Sequence, residues 1–259
     1  MPDRGRLRAL EREIVACRRC PRLVAWREQV GRERKAAYAL QEYWSKPLPG
    51  FGDHRARILL LGLAPAAHGA NRTGRMFTGD RSGEFLYAAM WRAGLANRPG
   101  SEDRDDGLRL SDAWVTAAVR CAPPANKPAP AEREACLPWA VRELELLGEI
   151  AVIVCLGAFA WDAALRLSAA DAREAGDPQG ASDGGADGRA GPARRPAKPR
   201  FAHGAEYPAG RRTLVGCYHP SQQNTFTGRL TEPMIDAVLA RARALADAPD
   251  RNGSANAGS

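Results

Sequence analysis

The stretch RILLLGLAPAAHGANRTGRMFTGD, residues 57–80, decides the reading of this chain, because it joins an uninterrupted apolar run to a loop rich in glycine and polar groups. Residues 57–63 show no helical spacing, and a short continuous apolar run suits a strand covered on both faces within a parallel sheet. Pro65 ends it. Gly62, Gly69, Gly74 and Gly79 let the backbone turn sharply, or approach a ligand where a Cβ would collide. His68, Asn71, Arg72, Thr73 and Asp80 set hydrogen-bonding groups beside Phe77. Ligands of open α/β sheets bind outside the carboxyl ends of the strands, so this loop is a candidate site.

Three further apolar runs, residues 113–119, 150–156 and 213–218, read as strands, and helical patterns separate them. Residues 83–96 put Phe85, Leu86, Ala89, Met90, Ala93 and Leu95 mostly on one face. Ser82 is expected to cap that helix, with Asp80 and Glu84 favouring its positive end. Leu137, Ala140, Val141, Leu144 and Leu147 form a second such face, although Pro138 counts against a helix running through it unless it lies in the first turn or at a kink. Strands alternating with helices predict an α/β fold, a three-layer α/β/α sandwich around a central, mainly parallel four-stranded sheet. A single domain over residues 1–246 is expected. Within it, residues 169–203 read as a disordered insertion of Ala, Gly, Asp, Pro and Arg, and 247–259 as a disordered tail of the same character. The basic run RRPAKPR, residues 194–200, is read as a solvated linker before a phosphate contact.

No stretch reaches the roughly 18 apolar residues of a membrane span, and residues 1–16 alternate charged with apolar side chains, so a cytosolic protein that meets no membrane is expected. Lys and Arg number 38 against 30 Asp and Glu, a net charge of +8 that favours a polyanionic partner but also fits many arginine-rich proteins. Six cysteines without an export signal point to metal ligation more than to disulfides. Cys17 and Cys20 form a C-x2-C pair, and Cys121 and Cys136 follow far downstream; four thiolates allow either zinc or an iron–sulfur cluster. Cys155 lies within a buried strand and Cys217 is read as core.

YHPSQQNTFTGRLT, residues 218–231, follows the last strand as residues 63–80 follow the first. His219 is stiffened by Pro220 and followed by Ser221, Gln222, Gln223 and Asn224. A third polar loop, residues 122–130, offers Asn126 and Lys127 between prolines. Three strand-end loops are thus expected to converge on one cleft.

The GLAPAAHGANRTGRMFTGD loop, the HPSQQN segment and Cys17, Cys20, Cys121 and Cys136, in this order and interleaved, resemble the uracil-DNA glycosylase superfamily and, within it, family 5, the UDGb group. The resemblance spans about residues 16–246 apart from the insertion. Family 4 shares the cysteines but carries an acidic residue where Leu63 stands here. The resemblance implies a monofunctional enzyme that flips uracil, and other deaminated bases such as hypoxanthine, out of DNA and hydrolyses the N-glycosidic bond. Double-stranded DNA is the implied partner, single-stranded DNA a further one, and the protein is expected to be a monomer. His219 is implied to stabilise the departing base as negative charge develops on it. Gly62, Ala64 and Phe77 are implied to bind the base, with Phe77 stacking on it, and Ser221, Gln222, Gln223 and Asn224 to contact DNA and fill the vacated stack. Ala64 replaces the Asp or Asn of other branches. Asp80 is therefore the first candidate to orient water or stabilise the sugar cation, Asn71 the second and Asn126 a supporting contact. Cys17, Cys20, Cys121 and Cys136 are implied to hold a four-iron four-sulfur cluster, with zinc the alternative, and Arg18, Arg19 and Arg22 beside them meet phosphate or form a solvated face. A noncatalytic nucleic-acid-binding module and a zinc-stapled nucleoside hydrolase are the rival readings.

Overall fold

The computed structural model describes residues 4–174 and 198–248. Its strands are β1 (Phe51–Gly52), β2 (Ile58–Gly62), β3 (Ala113–Ala117), β4 (Val152–Leu156), β5 (Glu206–Ala209) and β6 (Arg212–Cys217). Its α-helices are α1 (Arg4–Val15), α2 (Pro21–Glu33), α3 (Ala70–Thr73), α4 (Arg81–Arg92), α5 (Pro130–Leu146), α6 (Ala158–Glu174), α7 (Gln222–Phe226) and α8 (Glu232–Asp247). The strands form one sheet in the order β1-β3-β2-β4-β6-β5. The four central strands are parallel and are those read from the apolar runs. The sheet nevertheless has six strands where four were expected, because β1 and β5 pair antiparallel at its edges. Neither carries a strand signature: β1 is two residues long, and β5 contains Pro208, which an edge tolerates and a central strand does not.

Each central strand is buried on both faces. Ile58, Leu60, Val115, Val154 and Val215 pack with Leu86, Met90, Ile235 and Leu239 of α4 and α8. Leu59, Leu61, Trp114, Ile153 and Leu214 point the other way, against Ala140 and Leu144 of α5 and Trp161 and Leu167 of α6. Helices therefore cover both sides of the sheet, which is why its strands lack polar alternation. A third apolar cluster gathers Leu10, Ile14, Leu23, Val119 and Trp139 around Cys121 and Cys136, with Cys17 and Cys20 packed against it.

Some local boundaries differ from the expectation. Asp80, not Ser82, caps α4, its Oδ1 accepting from the Gly83 N–H at 3.0 Å. α5 runs through Pro138. Its start is secured by Pro130 in the first turn and by Glu132 Oε2, which accepts from the Ala129 N–H at 2.7 Å. α6 continues to Glu174, into the expected insertion, and residues 198–203 return onto it: Lys198 pairs with Asp162 at 2.7 Å, Trp161 Nε1 donates to the Pro199 carbonyl at 3.0 Å, and Phe201 meets Trp161 edge-on. The rest of that insertion and nearly all of the expected tail lie outside the described residues. Among the described residues no helix is long and apolar enough to cross a membrane.

Between α5 and β3 the interior holds an ion pair. Arg120 and Glu143 meet at 2.6 Å with side chains 1% and 3% exposed, and Glu143 also accepts from Thr116 Oγ1 at 2.8 Å and from the Gly50 N–H at 3.1 Å. Removing one partner strands the other charge in the core. Glu143→Ala is expected to lower stability by about 3–5 kcal/mol, read as a lower urea midpoint at unchanged slope. An unchanged midpoint would show that the pair carries no such weight.

Candidate active site

The central strands end level with one another, Gly62 opposite Ala117 and Leu156 opposite Cys217. The chain order reverses between β2 and β4, since β3 lies on one side of β2 while β4 and β6 lie on the other. Such a switch point opens a crevice at the carboxyl ends. There a small pocket is walled by Ala64, Pro65, Met76, Phe77, Asp80, Ala117 and His219, among others.

Phe77 reaches the pocket through a backbone conformation unfavourable for an aromatic residue, φ +51°. Its surroundings hold it there. Tyr87 Oη donates to the Met76 carbonyl at 2.8 Å, Thr73 Oγ1 donates to the Thr78 carbonyl at 3.1 Å, and buried Arg75 joins Thr78 Oγ1 at 3.0 Å to Asp106 at 2.6 Å. Asp106 is held well below the usual carboxylate range: burial opposes its charge, but Arg75 and the Leu108 and Glu102 N–H groups outweigh it. Two glycines admit the aromatic residue itself. A Cβ on Gly62 would stand 2.7 Å from Phe77 Cζ, and one on Gly83 would stand 1.7 Å from the Phe77 carbonyl oxygen.

Asp80 serves the helix and the pocket together. Oδ1 is engaged with the Gly83 N–H, and Oδ2 packs against Gly69, where a Cβ would come within 2.1 Å. Burial raises this carboxyl above its ordinary value, opposed by the Gly83 and Ser82 N–H groups and by the Arg72 guanidinium. His219 follows β6 and leans over the end of β4, where Gly157 leaves room: a Cβ there would stand 3.3 Å from His219 Cβ. Its ring lies 6.0 Å from that of Phe77, tilted by 35°. Burial pushes its pKa down from 6.5 to about 4, so at neutral pH the imidazole is uncharged and offers one N–H. No described residue hydrogen-bonds that ring.

Gly62, Ala64, Phe77, Asp80 and His219 are thus brought together. Asn71 is not: it is fully buried, its amide donates to the Arg27 and Ala67 carbonyls at 3.3 and 3.4 Å, and it braces the loop from behind. Asn126 sits exposed in a turn after β3, φ +55°, at the same sheet edge but outside the pocket wall. Ser221 to Asn224 begin α7 instead of forming an open loop. Ser221 caps it, Gln222 and Gln223 are exposed, and Asn224 Nδ2 donates to the His219 carbonyl at 2.8 Å. The sequence reading overlooked Pro65, Ala66, Ala70 and Ala117; their small or fixed side chains make the space of the pocket and carry no chemical signature of their own.

A second pocket is lined by Cys17, Cys20, Cys121 and Cys136 with Arg19, Arg120 and Trp139. Cys121 Sγ accepts from Arg27 Nη1 at 2.9 Å, and Cys136 Sγ accepts from the Arg120 N–H at 3.3 Å. Burial pushes the Cys121 thiol up to about 11 and the Cys136 thiol up to about 12, so both remain protonated at neutral pH unless a cation draws them into thiolates. Among the described residues no group of three or more His, Cys, Asp or Glu is arranged to hold a metal ion. The nearby arginines are engaged: Arg18 with Glu28 at 2.6 Å, Arg22 with Glu132 at 2.6 Å, and Arg19 over the Trp139 ring at 4.7 Å. Cys155 and Cys217 are buried among core side chains of the sheet.

The sequence profile of the uracil DNA glycosylase superfamily matches residues 49–243. The type-5 uracil-DNA glycosylase of Mycobacterium tuberculosis is 53% identical over 245 residues, covering 93% of this chain and 82% of that protein. The type-5 enzyme of Thermus thermophilus is 51% identical over 239 residues, covering 92% and 97%. A type-4 uracil-DNA glycosylase of Archaeoglobus fulgidus reaches 31% over 150 residues, 58% of each chain. With a profile that spans the sheet and its strand-end loops, and type-5 relatives matched over 82% and 97% of their length, this chain belongs to the uracil-DNA glycosylase superfamily and, within it, to the type-5 group.

Proposed function

We propose that this protein is a monofunctional DNA repair glycosylase that flips uracil out of DNA and hydrolyses its N-glycosidic bond, leaving an abasic site. The observation that carries the reading is the convergence of an aromatic ring, a carboxylate and an uncharged imidazole on one small pocket. Its walls are mostly apolar side chains with a few polar groups, the usual make-up of a small-molecule site. Phe77 stacks on the flipped base, a contact worth about 1–3 kcal/mol that tolerates different rings, so hypoxanthine is proposed as a further substrate. Bond cleavage leaves negative charge on the base and positive charge on the sugar. The unpaired N–H of neutral His219 meets the first, in a site dry enough for the bond to strengthen as charge appears. Asp80 meets the second and orients the attacking water, and Asn126, exposed at the same sheet edge, is a supporting contact. None of the chain's lysines lines the pocket, so no Schiff base and no strand cleavage are expected. The unit responsible is taken as residues 1–246, acting in the cytosol as a monomer on double-stranded and single-stranded DNA.

Cys17, Cys20, Cys121 and Cys136 are proposed to hold a four-iron four-sulfur cluster. Buried Arg27 supports this: it has no carboxylate partner among the described residues, its Nε is unpaired, and its Nη1 points at Cys121 Sγ, so an anionic thiolate cluster supplies the missing counter-charge. Four thiols line one pocket, a donor set that suits a four-iron cluster, with zinc the alternative. When bound, the cluster supplies a cross-link from the α1–α2 junction to Cys121 after β3 and Cys136 within α5, with no part in the chemical step.

Single-turnover cleavage of a uracil-containing duplex, followed by mild alkali to break abasic sites, tests the activity. His219→Ala is expected to slow cleavage about 10²–10³-fold with little change in duplex affinity, because its bond forms fully only in the transition state. Asp80→Asn, which keeps a good helix cap, is expected to slow cleavage at least tenfold, on the order of general base loss or more, without loss of stability. Equal loss of binding and cleavage in His219→Ala would remove its transition-state role. Binding without any cleavage by the parent protein would favour a noncatalytic module, and cleavage of free nucleosides a small-molecule hydrolase.

The cluster has its own readout. Purified protein is expected to show broad visible absorbance, with iron and acid-labile sulfide in equal amounts, and Cys121→Ser to lose both. One zinc per chain and no visible absorbance would select the alternative.

A further inference from the structure

We propose that Arg72 is a positioning residue that holds Asp80 in place for the reaction; this rests on the glycosylase reading above. Arg72 stands half-buried in α3, and each of its three guanidinium nitrogens donates to the protein. Nη2 donates at 2.8 Å to the carbonyl of Gly79, the residue before Asp80. Nε donates at 2.8 Å to the carbonyl of His68, the residue before Gly69, and Gly69 packs against Asp80 Oδ2. One side chain thus ties together the two stretches of chain that meet at the carboxylate. On the outer side, Nη1 donates to Gln41 Oε1 at 2.5 Å, and Cζ lies 4.0 Å over the Tyr38 ring.

A planar guanidinium suits this task, because its donors form a rigid fork that fixes two carbonyls relative to each other. Gly79, at φ +81°, lets the fork approach: a Cβ there would stand 2.5 Å from Nη2. With every nitrogen engaged and Tyr38 over one face, the group is built into the loop and not presented to a phosphate. Among the described residues no Asp or Glu pairs with Arg72, and its charge favours the ionised form of Asp80. The other titratable groups around Asp80 supply no cation at neutral pH. Glu84 of α4 opposes its charge, burial keeps Tyr87 of α4 protonated, and His219 across the pocket is uncharged. His68 is held toward its neutral form by burial, Lys35 and Arg72.

Single-turnover cleavage of a uracil duplex would be followed against pH for the parent protein, Arg72→Met and Arg72→Lys, each with and without Asp80→Asn. Without the cation Asp80 takes up its proton at higher pH, so the acid limb of the Arg72→Met profile should move upward. Its rate at neutral pH should fall at least about tenfold, with duplex affinity unchanged. Arg72→Lys keeps the charge without the fork, so its acid limb should stay near that of the parent while part of the rate is lost. In the Asp80→Asn background either change should cost no more than about threefold, since the group that Arg72 positions is already disabled. Should Arg72→Met not fold, the Arg72→Lys pair decides. An equal loss in both backgrounds, or an unmoved acid limb in Arg72→Met, would overturn the proposal. So would a loss confined to duplex affinity with a shallower salt dependence, the mark of a phosphate contact. A parent protein that cleaves no uracil duplex would remove the glycosylase reading, and the proposal with it.

Discussion

The ring of Phe77 can lie across the end of β2 only because residue 62 has no side chain, and much of the site follows from that contact. The ring forms the pocket's apolar wall, and its backbone must take a positive φ to reach it. Such a conformation costs on the order of 1–3 kcal/mol and persists only where neighbours over-determine it. Here Tyr87, Thr73 and the Arg75–Thr78–Asp106 network do so from behind, and the absence of a side chain at Gly83 leaves room for the Phe77 carbonyl against α4. Fixing Phe77 also fixes Asp80, because only Thr78 and Gly79 separate the ring from the cap of α4.

Desolvation then sets the chemistry. The same closure that makes room for a flat ring moves both titratable groups toward their neutral forms, the histidine down and the carboxyl up. A carboxyl shared between a helix terminus and a cavity keeps enough N–H contact to oppose that shift, whereas the histidine has none. The asymmetry suits an imidazole that donates without a formal charge beside a carboxylate that answers a cation. Behind the loop, Arg27 links this site to the cysteine pocket, its carbonyl receiving Asn71 and its guanidinium reaching Cys121.

The central strands were legible because burial on both faces leaves unbroken apolar runs, and the two site loops because polar and glycine-rich segments follow those runs directly. The edge strands were not, since two residues of β1 and a proline-bearing β5 carry no pattern. Asn71 misled for a different reason. It is polar within a polar loop, and only the segment that arches over it, with the Ser45 N–H donating to the Asn71 carbonyl and the Trp44 N–H to that of Arg72, turns it inward. Arg18 and Arg22 looked free because their acids, Glu28 and Glu132, lie 10 and 110 residues away.

The account turns on an uncharged His219. A histidine-selective NMR titration of the imidazole nitrogens in the intact protein, with the His219→Gln variant to assign the signal, measures that directly. A ring that stays neutral well below neutral pH and titrates near about 4 agrees with the account. A ring that titrates at or above its ordinary 6.5, and so carries charge near neutral pH, would contradict it.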